Sequence, residues 1–190
     1  MTEQEYFTVH HQLTINAQPL ADDFIFPSSA QFEAEIPAPF VVASEFSQLD
    51  MLNDSARKEL NNSDFKHVIN LLDTQNSKLN LLLTFLLSQQ DDPQYRSTTV
   101  AFGASQCSYL SATPLNNEQA LRVKLFLEHP AAAIYCYARV IGCEAHEQGY
   151  LITAKYQMLR DADQDLLIKA ALYQQQKLLR QRSIDRENNQ

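Results

Sequence analysis

The apolar positions change period twice along the chain. In residues 6–15, Phe7, Val9, Leu13 and Ile15 share one parity with His11, so this segment reads as a half-buried strand. Residues 17–42 lose that order, with Pro19, Pro27, Pro37 and Pro39 scattered among Phe24, Ile25, Phe26, Phe32 and Phe40. Proline at this density breaks regular structure. The aromatics pin the segment to something apolar, so an ordered connection with at most short helical turns is expected. A helix over about 43–60 follows, then a turn at Asn61-Asn62-Ser63-Asp64, where Ser63 or Asp64 is placed to cap the next helix.

That next helix, about 64–90, carries the clearest pattern. Phe65, Val68, Leu72, Gln75, Leu79, Leu82 and Leu86 alternate spacings of three and four, a heptad a/d seam. Asn70, Ser77 and Thr84 occupy the f positions opposite, and Asp91-Asp92-Pro93 ends the helix. An exposed seam of this size is a liability, so something covers it. The cover is either this chain's own barrel and 43–60 helix or a copy of the helix from another subunit. Ile69 and Leu83 at e, with Leu71 and Phe85 at g, widen the apolar face and favour the second, as in a trimeric, tetrameric or four-helix arrangement. Gln75 in a d position fits, since a paired polar residue in a seam fixes register and copy number.

After Pro93 the period returns to two. Val100 and Phe102 alternate, as do Cys107 and Tyr109; then Leu121, Val123, Leu125 and Leu127; then Ile134, Cys136, Ala138 and Val140; then Tyr150, Ile152, Ala154, Tyr156 and Met158. Turns at Pro114-Leu115-Asn116-Asn117, His129-Pro130 and Glu147-Gln148-Gly149 separate them. Short strands at this spacing predict an antiparallel barrel or sandwich. A last helix, about 163–182, carries Asp161, Asp163 and Asp165 at its start and Lys177, Arg180 and Arg182 at its end, the polarity the helix dipole favours.

Composition narrows the function. Fifteen Lys and Arg against 23 Asp and Glu give a net charge of −8, which argues against general nucleic-acid binding. Three glycines in 190 residues exclude glycine-rich phosphate loops. No apolar run is long enough for a membrane span, and the acidic start Met1-Thr2-Glu3-Gln4-Glu5 is no secretory signal, so a cytoplasmic protein is expected. Cys107, Cys136 and Cys143 form no CxxC pair and read as buried, inert thiols. His10, His11, His67, His129 and His146 are scattered, with no metal-ligand spacing and no nucleophile motif. The clusters Asp22-Asp23, Asp91-Asp92 and Asp161/Asp163 read as solvated cap or loop charges. No catalytic role is expected; an enzyme whose catalytic residues are dispersed along the chain is the contrasting class.

The order of elements from Val100 onward, with Ser108–Leu115, Leu121–Leu127, Tyr137–Ile141 and Tyr150–Tyr156, resembles the PilZ domain. The heptad stretch 71–83 resembles the atypical, tetramer-forming PilZ branch. The resemblance implies an α+β, mainly β fold: a six-stranded antiparallel barrel with inserted long heptad helices and a C-terminal helix. Residues 1–16 and 96–190 would form a discontinuous barrel, and 17–95 the insertion. It further implies a place in cyclic-di-GMP signalling, a homotetramer, and a protein partner in motility or attachment, with cyclic di-GMP as the candidate ligand and no cofactor required. The family's ligand motifs are altered. Residues 1–6 contain no arginine where RxxxR is usual, and Arg182-Ser-Ile-Asp-Arg186 lies in the terminal helix. The D/NxSxxG motif aligns with Ala101–Gln106, which retains none of its signature residues, or with Gly103–Ser108, which retains Ser105 alone. The implied role is therefore an adaptor or scaffold, the alternative being a cyclic-di-GMP receptor with a non-standard site. Arg96 and Arg139 are the substitute cations. Tyr135, Tyr137 and Arg139 share a strand face that offers stacking surfaces and a guanidinium, or else an outer barrel face packed under helices.

Overall fold

Among the described residues, seven strands and four helices form from this pattern. They are β1 (Thr8–His10), β2 (Thr14–Pro19), α1 (Ser29–Glu35), α2 (Ala38–Asn61), α3 (Lys66–Ser88), β3 (Arg96–Gly103), β4 (Gln106–Ser111), β5 (Ala120–Leu127), β6 (Ala132–His146), β7 (Gly149–Met158) and α4 (Asp161–Asn188). The computed structural model describes residues 7–61 and 65–188, with backbone alone for 50–56, 61 and 185–188. The acidic start, the caps Ser63 and Asp64, and the side chain of Arg186 therefore lie outside the described residues.

The sheet closes. Its order is β3-β2-β5-β6-β7-β4, and β4 pairs back onto β3, every pairing antiparallel. β1 lies on the same edge of β3 as β2, so β1 and β2 are one strand with an interruption, and the barrel is six-stranded. The alternating residues point inward: Ile15, Leu121, Val123, Leu125, Ile134, Cys136, Val140 and Ile152 are fully buried. Closure leaves no long unpaired edge.

Where the chain departs from its sequence pattern, the causes are local. The first strand runs to Pro19 rather than 16, because Pro19 ends a strand and needs no ladder donor there. Within 17–42 a capped helix forms: the Ser28 side chain accepts from the Gln31 N–H, and the Gln31 side chain accepts from the Ser28 N–H. The second helix begins at Ala38 rather than near 43. Pro37 and Pro39 fall at its start, where the missing N–H groups would have no helical partner anyway. The last helix runs 161–188, longer at both ends than 163–182.

The inserted segment returns to the barrel. Phe24, Phe26 and Phe32 lie against Tyr135 and Tyr137 of β6, with ring centroids 5.3–6.0 Å apart. Tyr137 donates to the Glu35 carboxylate at 2.6 Å. Phe40 and Ala43 bury the start of α2. α4 packs through Leu166, Leu167, Ala170 and Ala171. Among the described residues no helix is long and apolar enough to cross a membrane.

Candidate functional site

α2 and α3 form an antiparallel helical pair, tied by an ion pair between Arg57 and Asp73. α3 turns Leu83 (position e) and Leu87 toward its own chain, where both are buried, and Ile69 is half-buried on the same side. The seam itself faces away. Phe65, Val68, Leu72, Leu79, Leu82 and Leu86 are 43–62% exposed, and Gln75 is exposed among them. Leu71 and Phe85 at g extend the exposed ridge. The f-position residues Ser77 and Thr84 instead line a groove shared with His129 and Tyr173. A helix serving only its own domain would bury its widest apolar stripe, whereas here that stripe is left exposed and only Leu83 and Leu87 turn inward. Burying the exposed half of six such side chains is worth roughly 1 kcal/mol each.

The two candidate arginines do not meet. β3 and β6 stand opposite one another, with two strands between them in either direction around the closed sheet. Arg96 at the start of β3 pairs with Asp91 at 2.6 Å. Arg139 on β6 donates to the Glu118 carbonyl at 2.9 Å, and its guanidinium lies 4.7 Å from the Phe26 ring centroid. Tyr135 and Tyr137 are buried under the inserted segment, so the stripe they form with Arg139 is a packed outer face of the barrel. Burial and the hydrogen bond with Tyr137 hold the Tyr135 phenol above its ordinary pKa.

The β3–β4 turn, where the family's second motif would fall, is held by its backbone. The Tyr156 N–H donates to the Ser105 carbonyl at 2.9 Å, and the Gln164 amide donates to the Ala104 carbonyl at 3.3 Å. A shallow cleft of about 390 Å³ beside it is lined by Ser105, Gln157, Gln164 and the single cation Lys155. The lining of this cleft includes no carboxylate.

The acidic clusters correct one expectation. Asp163 is not solvated: it is 0% exposed and takes a bidentate pair from Arg160, with both contacts at 2.8 Å. Burial pushes its pKa up against the lowering effect of Arg160. Asp91 is also partly buried, held by Arg96 and by the Asn16 amide at 2.7 Å. Asn16 itself was invisible to periodicity, since it is a buried polar residue on a strand. Cys107 and Cys136 are fully buried; burial raises the Cys107 thiol pKa to about 12, and Cys143 is half-buried. Among the described residues no group of three His, Cys, Asp or Glu side chains is arranged to hold a metal.

No protein-family model and no curated protein matches the sequence. Solved structures do match in fold. A protein from Xanthomonas campestris, described as a new tetrameric PilZ domain self-assembled via an unusual helical bundle, superposes with a TM-score of 0.56 at 13% identity, over 93% of this chain and 91% of that one. The Bacillus subtilis inhibitor of motility (MotI/DgrA) superposes with a TM-score of 0.50 at 11% identity. That match covers 93% of this chain but spans only about half, 53%, of the Bacillus protein. The closed six-stranded antiparallel barrel, its C-terminal helix and the helices inserted after its first strand are a PilZ-like fold.

Proposed function

We propose that this protein is a non-catalytic bacterial signalling module of the cyclic-di-GMP network that self-assembles through α3 and acts as an adaptor or scaffold. The observation that carries this reading is the direction of the heptad seam, which points away from its own barrel along some 30 Å of helix. A second copy of the same helix offers a matching ridge, and the g-position residues leave room for more than two. The similarity to a PilZ domain described as tetrameric supports four copies. The network assignment rests on the PilZ-like fold, and the adaptor role on the altered ligand motifs: no arginine in residues 1–6, and Ser105 at most retained at the β3–β4 turn. The assembled barrels would present their outer faces to a protein partner in motility or attachment from a cytoplasmic position.

Sedimentation equilibrium at micromolar concentration tests the assembly, with a mass near four times 21.7 kDa expected. A monomer at that concentration overturns it. Calorimetry with cyclic di-GMP in the same sample separates adaptor from receptor: the adaptor gives no saturable heat, whereas a receptor working through Arg139 loses its heat in Arg139→Ala.

A further inference from the structure

α4 carries a second ridge that its own chain leaves uncovered. Leu166, Leu167, Ala170, Ala171 and Gln174 turn inward and are buried. On the other side of the helix, Asp165, Ile168, Leu172, Gln175, Leu179 and Arg182 fall at alternating spacings of three and four, and every one of them is exposed. Ile168, Leu172 and Leu179 are 39–55% exposed, and they stand in one row rather than scattered. Their order with Gln175 repeats that of Val68, Leu72, Gln75 and Leu79 in the α3 seam. The ends of the row carry opposite charge. Asp165 and Arg182 bracket the apolar side chains, about 26 Å apart along the helix. Among the described residues neither has an ion-pair partner.

We propose that this ridge docks on the same ridge of a second copy, the two α4 helices antiparallel about a two-fold axis. In that register Ile168 of each copy meets Leu179 of the other, Leu172 meets Gln175, and Asp165 meets Arg182 at both ends. A parallel pair would set Asp165 against Asp165 and Arg182 against Arg182. The charges therefore select the antiparallel arrangement, and they select a second copy because the ridge is its own complement. It has fewer apolar side chains than the α3 seam, so the contact is weak and forms at ~100 µM rather than at ~1 µM. The ridge lies on a different helix from the α3 seam and does not depend on it. Added to assembly through α3, it joins one assembly to the next, and local concentration then sets the size reached.

The test uses the full chain carrying Leu79→Glu, which takes the α3 seam out of play. Sedimentation equilibrium of this variant should show monomer at ~1 µM and dimer by ~200 µM. Adding Asp165→Arg or Arg182→Asp should each weaken the dimer about tenfold, and adding both together should restore it. Adding Leu172→Glu should leave monomer at every concentration. Circular dichroism should find the same helix content throughout, since each of these side chains is exposed. Monomer at ~200 µM in Leu79→Glu overturns the proposal and leaves the ridge to an α3 seam or to a different protein. A dimer indifferent to the charge variants, or one that the double swap fails to restore, also overturns it. Wild type at micromolar concentration reports on α3 alone, so the two readings fail separately.

Discussion

Asn16 and Asp92 bond to each other in both directions: the Asp92 N–H donates to the Asn16 Oδ1 at 2.8 Å, and the Asn16 Nδ2 donates to the Asp92 carbonyl at 3.3 Å. The same Nδ2 donates to the Asp91 carboxylate at 2.7 Å, which also pairs with Arg96. One buried amide thereby fastens the exit of the inserted helices to the first barrel strand, 76 residues earlier in sequence. The joint follows directly after α3, which ends at Ser88.

Asn16→Ala should remove these bonds and leave the Asp92 N–H and the Asp91 carboxylate short of partners in a partly buried site. A loss of about 2 kcal/mol is expected. Urea unfolding measures it, and Asn16→Asp should cost more, since it sets a second carboxylate beside Asp91.

The gap between β1 and β2 is bridged by one side chain. The Thr99 hydroxyl donates to the His11 carbonyl and accepts from the Leu13 N–H, each at 2.8 Å. Thr99 is almost completely buried. Thr99→Val keeps the shape and orphans both backbone groups, so a loss of about 2 kcal/mol in the urea midpoint series is expected, while Thr99→Ser should retain most of the stability.

Arg160→Ala leaves the buried Asp163 carboxylate uncompensated, and the expected cost is about 3 kcal/mol at pH 7. The pH dependence has a definite sign. The folded-state pKa of Asp163 is raised above 3.8. The folded protein therefore holds this proton more readily than the unfolded chain, and stability is lost as pH rises through the folded pKa. Without Arg160 that pKa climbs further, so the difference between variant and wild type should shrink as pH falls toward 4. Urea melts at pH 4 and pH 7 compare the two; a deficit that grows on acidification contradicts the account.

Two leucines four residues apart on α3 should part company. Leu79 belongs to the exposed seam, and Leu83 is buried against its own chain. Leu79→Glu should disperse the assembly while changing the stability of the dispersed chain by no more than about 0.5 kcal/mol. Leu83→Glu buries a charge and should destabilise the fold itself by about 3 kcal/mol or more. Sedimentation and urea unfolding read the two effects apart.

Periodicity made most of the elements legible. The inward residues of β5, β6 and β7 fall on the parity that their alternation indicates, and the heptad run lies on one continuous helix. Phe24, Phe26 and Phe32 announced that their segment was pinned, but not to what. The prolines at 37 and 39 read as breakers and proved to be helix starts, because the same residue serves either purpose depending on the backbone that follows. Of the candidate residues, the seam was visible in the sequence, whereas the Asn16 joint was not; a lone polar side chain in a strand has no period.

Sequence by itself determined which residues alternate, where helices run and which ridge is too apolar for water, since each follows from the spacing of neighbours along one chain. Only the tertiary structure decided which way that ridge faces, that Arg96 and Arg139 stand on opposite sides of a closed barrel, and that Asp163 is buried with Arg160. Those outcomes depend on contacts between distant segments, and a repeat distance carries no information about what lies across the space between them.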